Sequence, residues 1–193
     1  MPCAAIAGAV LLYDVFLKFT PLGPLGMGLC RLLNVLLGMS AASQMRGAVA
    51  VGYSPGELFA ATGIGIYIIG VTLFSRAEAK RSQSAALWAA MVVMSLGVVV
   101  LGGSGLGFWQ PAVKLEYYWI LLGLLMLTVL RRCGVAALDP VPEKVQTAVK
   151  HSILSLIWLD AATAAATSGP WQGLAIAALL VPALLLGRWV YST

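Results

Sequence analysis

Polar and charged side chains stand among apolar runs at a few places in this sequence. The densest is Tyr13 to Ser40, YDVFLKFTPLGPLGMGLCRLLNVLLGMS, which carries Tyr13, Asp14, Lys18, Arg31 and Asn34. Charge inside hydrocarbon is costly and usually marks a site. The Lys18 ammonium could hold a diphosphate as a point charge, or anchor a span end by snorkelling. Arg31 and Asn34 stand three residues apart, on one helix face about a turn inside the membrane. They need partners in a bundle, and lining a site is the reading adopted for the pair. Asp160, in the middle of a later apolar run, is the most expensive single residue. It either faces the same cavity or neutralises a buried base such as Arg31, and pairing is the reading favoured. Arg76 and Glu78 lie in the polar stretch FSRAEAKRSQ, which alone reads as a solvated loop. His151, the one histidine, has no acid or cysteine constellation around it. No residue is assigned as catalytic.

The elements that must position these groups follow from composition. The 193 residues are 61% hydrophobic and 10% charged, with mean hydropathy +0.94, which is too apolar for a soluble domain. The expectation is an all-α polytopic membrane protein, one transmembrane domain over 1–193. Seven apolar spans fall at about 3–17, 23–45, 57–75, 85–103, 115–131, 151–168 and 171–190. No Lys or Arg precedes Lys18, so the first span is read as a retained helix and not a secretory signal. Cys3, Cys30 and Cys133 lack metal-type spacing and read as packing thiols.

Basic residues orient the spans, because Lys and Arg concentrate in cytoplasmic loops. Alternating loops place Lys18, Arg76, Lys80, Arg81, Arg131, Arg132, Lys144, Lys150 and Arg188 on one side, and Arg46 and Lys114 on the other. Nine against two, with Arg31 inside a span, accounts for all 12. This predicts an integral protein of the plasma membrane with an outside N-terminus and a cytoplasmic C-terminus. The net charge of +5 then reports this bias, and no nucleic-acid partner is expected.

Gly23, Gly26 and Gly28, then Gly63, Gly65 and Gly70, then Ala161, Ala162 and Ala164 to Ala166 give small faces on which helices can approach closely. The run GGSGLG at 102–107 lacks the Lys-Ser/Thr of a phosphate loop and reads as a flexible outer connection. LDPVPEKVQTAVKHS, 138–152, has a Pro and an early Glu and reads as a helix start at the cytoplasmic surface leading into the next span.

Tyr-x4-Lys, a Pro/Gly turn and G-x-G-x2-R-x2-N-x3-G, as they stand at Tyr13 to Gly38, resemble the middle of the UbiA-type membrane prenyltransferases. The resemblance is closest to the branch in which the turn reads LK-x-TPLGPL-x-MG-x-CR-x-LN-x-LLG. It is fair at GIGIYIIGVTLFSRAEA, 63–79, and at VKHSILSLIWLDAATA, 149–164. It implies a UbiA-like helical bundle whose cavity opens toward cytoplasm and lipid. Two Asp-rich loops there bind Mg²⁺ and an isoprenoid diphosphate, and a prenyl chain passes to an acceptor. Carried onto this sequence, it implies substrate-binding roles for Tyr13, Lys18, Arg31, Asn34 and Arg76. Glu78, in the loop that takes the place of the second Asp-rich motif, becomes a metal ligand, with Asp14 as a further candidate.

The sequence also departs from that pattern. The first Asn-Asp-x2-Asp motif is missing, as if the chain begins about three helices late, and Glu78 stands where several aspartates are usual. One glutamate cannot hold Mg²⁺ against phosphate oxygens by itself. Two functions are carried forward. One is a UbiA-like prenyltransferase, incomplete or inactive as this chain alone, either truncated at its N-terminus or completed by a separate N-terminal half. The other is a non-catalytic membrane protein or small transporter on the same bundle.

Overall fold

Apolar runs in a membrane must satisfy every backbone N–H and C=O within the segment, which leaves the helix as the economical form. The computed structural model describes residues 2–43, 53–79, 84–107, 114–139 and 141–190, and no strand occurs among them. The helices are α1 Pro2–Val15, α2 Gly23–Ser43, α3 Pro55–Ala79, α4 Ser84–Gly107, α5 Leu115–Leu138, α6 Pro142–Ser168, α7 Pro170–Ala178 and α8 Leu180–Val190, with a short 3-10 turn at Leu17–Phe19. The protein is all-helical, as the composition implies.

Helix α3 is the centre, packed against α2, α4 and α6, and its Ile64, Tyr67 and Phe74 are almost wholly buried. Its start is built by SPGE: the Ser54 amide donates to Glu57 Oε2 at 2.8 Å, and the Glu57 amide donates to Ser54 Oγ at 3.3 Å, a reciprocal cap with Pro at the first helical position. Gly63 and Gly65 lie roughly 200° apart around α3, so they serve different neighbours. A Cβ on Gly63 would stand 2.8 Å from the Gly97 carbonyl oxygen of α4, and one on Gly97 would stand 2.8 Å from that of Gly63. On the other side, a Cβ on Gly28 of α2 would stand 2.8 Å from the Gly65 carbonyl oxygen. These contacts are tight enough that any side chain would part the helices.

Hydroxyls stitch the interior. Tyr67 donates to the Ser152 carbonyl at 3.0 Å and lies 2.7 Å from Ser155 Oγ, joining α3 to α6. Tyr118 of α5 reaches the Leu101 carbonyl at 3.1 Å and Ser104 Oγ at 3.0 Å, joining α5 to α4.

Several boundaries differ from the sequence expectation. The 102–107 run is not a connection; it forms the last turns of α4. There Gly105 admits Tyr118, whose Cδ1 would lie 3.2 Å from an added Cβ, and Gly102 lies under the Trp119 ring. Gly102 and Gly105 are thus contact surface for α5. Helix α3 continues to Ala79, so Arg76 to Ala79 are helical and not loop. Helix α5 runs on to Leu138, past Arg131 and Arg132, because helical hydrogen bonding does not stop where hydropathy falls. The last expected span is divided at Leu179, whose amide bonds to Ile176 in a tightened turn. Pro182 has no N–H to offer the Ala178 carbonyl four residues back, which breaks the helix there. Gly169, at φ 122°, takes a backbone conformation that other residues resist, and turns α6 into α7.

Among the described residues three helices are long and apolar enough to cross a membrane: Pro55–Ala77, Ser84–Gly105 and Leu115–Leu138. Arg31 and Asn34 lower the hydropathy of α2, and His151 and Asp160 that of α6. Arg31, Asn34 and Asp160, the side chains singled out for chemistry, thus weaken their helices as spans.

Candidate functional site

Helices α2, α3, α6 and α7 line a half-open cavity of about 440 Å³, within the range of small-molecule pockets. Arg31, Asn34, Glu57, Asp160, Thr163 and Thr167 give it polar walls; Val35, Met39, Ile64, Ile176 and Leu179 give it apolar ones. Asp160, Thr163 and Thr167 recur at helical spacing, so one face of α6 carries all three.

The Arg31 guanidinium bonds the Asp160 carboxylate through Nη2 and Oδ2. The two side chains are 27% and 25% exposed, so the pair is held between helices and still borders the cavity. Arg31 Nε is buried and has no acceptor. Thr163 donates to the Leu159 carbonyl at 2.8 Å and Thr167 to the Thr163 carbonyl at 3.0 Å, so both hydroxyl protons are engaged within α6, and Thr163 is itself buried. Donors facing the space come from Arg31 and from Asn34, whose residue is exposed. Glu57, 5% exposed, adds a carboxylate already engaged by the Ser54 amide. Arg31 and Asp160 cancel, so the cavity has no surplus of positive charge.

Tyr13, Lys18 and Arg76 lie elsewhere. Arg31 is eight residues beyond Gly23, the first residue of α2, or roughly 12 Å along the axis, while Lys18 sits in the turn before it. The Arg76 guanidinium donates to the Thr20 carbonyl at 2.7 Å and the Lys18 carbonyl at 2.9 Å. It clamps the TPLG turn, and a side chain on Gly23 would collide with it. The Lys18 ammonium is exposed, 5.9 Å from the centre of the Phe19 ring. Tyr13 packs on Gly26, where an added Cβ would be 3.0 Å from its ring. The residues from the Tyr13–Gly38 motif therefore divide into a turn cluster at one end of α2 and the pair Arg31 and Asn34 in the cavity wall.

Asp14 is exposed at the end of α1, and the side chain of Glu78 lies outside the described residues. Among the described residues no three His, Cys, Asp or Glu side chains converge on a point that could hold a metal ion. They do not make a cradle for Mg²⁺, and no step is derived through that ion.

Sequence reasoning did not single out Glu57, Thr163 or Thr167. The signals were present: S-P-G-E is a capping box that fixes Glu57 at a helix start, and positions 160, 163 and 167 share one face. Comparison with protein-family models, with curated proteins and with solved structures returns no match.

Proposed function

We propose that this chain is part of a UbiA-like membrane prenyltransferase and binds an isoprenoid diphosphate, with prenyl transfer requiring carboxylates from a separate N-terminal half. The observation that carries the reading is the α2 face at Arg31 and Asn34, which borders a cavity with both polar and apolar walls, on the helix whose sequence resembles that family. The lipid's hydrocarbon suits the apolar walls. Its charged end suits the turn cluster of Lys18 and Arg76, because the cavity's own cation is already neutralised by Asp160. Mg²⁺ would be held by the carboxylates of that separate partner. Seven crossings, a plasma-membrane location and a cytoplasmic C-terminus complete the proposal, supported by the nine-to-two distribution of basic residues.

That neutralisation also favours a second reading, a non-catalytic lipid-binding membrane protein or small transporter on the same bundle. Thermal unfolding of the purified chain in detergent, with farnesyl diphosphate, farnesol or pyrophosphate added, tests the proposal. Farnesyl diphosphate should stabilise more than either fragment. Equal stabilisation by farnesol would favour the second reading, and no stabilisation by any of the three would reject both. Mg²⁺-dependent turnover by the chain alone would overturn the requirement for a second half.

A further inference from the structure

A second recess, of about 690 Å³, lies between the C-terminal part of α5 and the start of α6. Its walls include Arg131, Arg132, Glu143 and Lys144, with Val135 and Ala136 beside them. We propose that it is a headgroup site for an anionic phospholipid, independent of the isoprenoid cavity.

Three observations carry this. First, Lys144 is already paired with Asp139 across the turn between the helices, whereas Arg131 and Arg132 have no acidic partner among the described residues and are exposed. Two guanidiniums beside a recess are suited to bidentate contact with a phosphodiester.

Second, the recess sits at the right depth. Helix α5 is one of the three apolar enough to cross a membrane, and Arg131 stands 16 residues beyond Leu115, about 24 Å along the axis. With a hydrocarbon core of about 30 Å, and with arginine free to reach outward, both guanidiniums arrive at the phosphate level. Trp119 is exposed near the opposite end of the helix, where an interfacial aromatic belongs.

Third, Leu124 and Leu127 of α5, which stand on the membrane-interior side of Arg131 and close to its face of the helix, are exposed large apolar side chains. Acyl chains of a lipid held at the recess would run along that surface. Basic pockets between transmembrane helices on the cytoplasmic side are a recurrent way of holding such headgroups.

Glu143 opposes an anion there, which supplies a gain-of-binding variant as well as a loss. The whole chain, purified in detergent, would be titrated with phosphatidylglycerol, with phosphatidylcholine and with inorganic phosphate, and bound species counted by native mass spectrometry. Wild type should prefer phosphatidylglycerol. Arg131→Gln with Arg132→Gln should lower that affinity about 30-fold, or roughly fivefold per basic charge, and leave phosphatidylcholine unchanged. Glu143→Gln should raise it, which a misfolded protein could not do, and Lys114→Gln at the far end of α5 should not alter it. Equal binding of both lipids, no effect of the double arginine variant, or full displacement by millimolar inorganic phosphate would overturn the proposal, the last by assigning the recess to free phosphate.

Discussion

The guanidinium of Arg31 on α2 meets the carboxylate of Asp160 on α6, 129 positions away in sequence, and no other acid lies within salt-bridge distance of Arg31 among the described residues. The bond joins two helices that both border the 440 Å³ cavity. It also explains how each carries a charge where neutral residues would be cheaper.

Removing one partner leaves the other charge uncompensated between helices, while replacing both with apolar residues of similar size does not. Arg31→Ala and Asp160→Ala should each destabilise the bundle by about 3 kcal/mol, and Arg31→Met with Asp160→Leu should recover most of that loss. Thermal unfolding of the three variants in one detergent checks it. If the double variant were as unstable as the sum of the singles, the pair would not be the reason either residue is tolerated.

Close approach of α3 and α4 rests on Gly63 and Gly97, since a Cβ added to either would stand 2.8 Å from the other's carbonyl oxygen. Gly97→Leu must push backbone and not a flexible side chain, so it should cost about 3 kcal/mol or prevent assembly. Gly123→Leu on α5, where an added Cβ meets nothing within 4 Å, should fall within about 0.5 kcal/mol of wild type. Comparing yields of folded protein and unfolding temperatures separates the two positions, and a well-tolerated Gly97→Leu would show that the helices can part.

Hydropathy and small-residue spacing made the helices and their packing faces legible in the sequence, since Gly63, Gly65 and Gly28 sit where α3 meets its neighbours. The Arg31–Asp160 pair was legible from cost alone, because few acids lie within spans. Helix ends were not. Charges at Arg76 and at Arg131 and Arg132 end an apolar run, but an α-helix continues through charged residues without penalty once it reaches the interface. Gly102 and Gly105 looked like loop for the same reason that they are useful in packing, since they have no side chain to keep α5 away. Lys18 and Arg31 belong to one sequence motif, but Lys18 lies in the turn before α2 and Arg31 eight residues into it, and a rise of roughly 1.5 Å per residue is what carries Arg31 away from the turn.

Tyr67 carries the main polar link from α3 to α6, with its hydroxyl 3.0 Å from the Ser152 carbonyl and 2.7 Å from Ser155 Oγ. Interhelical hydrogen bonds in membranes contribute modestly, so Tyr67→Phe should lose only about 0.5–1.5 kcal/mol. Ser155 still donates to the Ser152 carbonyl at 2.8 Å, which keeps α6 satisfied without the tyrosine. A loss larger than about 3 kcal/mol in the same unfolding assay would mean that the hydroxyl also supports a buried polar group beyond these two.

The basic side chains of α5 and α6 give a test of orientation that does not depend on any ligand. Arg131, Arg132, Lys144 and Lys150 cluster where α5 ends and α6 begins, whereas Lys114 stands at the opposite end of α5. The distribution of Lys and Arg predicts that the first group is cytoplasmic. A chain with Cys3, Cys30 and Cys133 replaced, carrying one new thiol at the exposed Gln146 or the exposed Lys114, can be labelled in intact cells with a membrane-impermeant maleimide. Lys114→Cys should react from outside, and Gln146→Cys only after the membrane is opened. The reverse pattern would invert the proposed topology and put the phosphate-level recess on the outer leaflet. Labelling of both positions from outside would show that α5 does not cross at all.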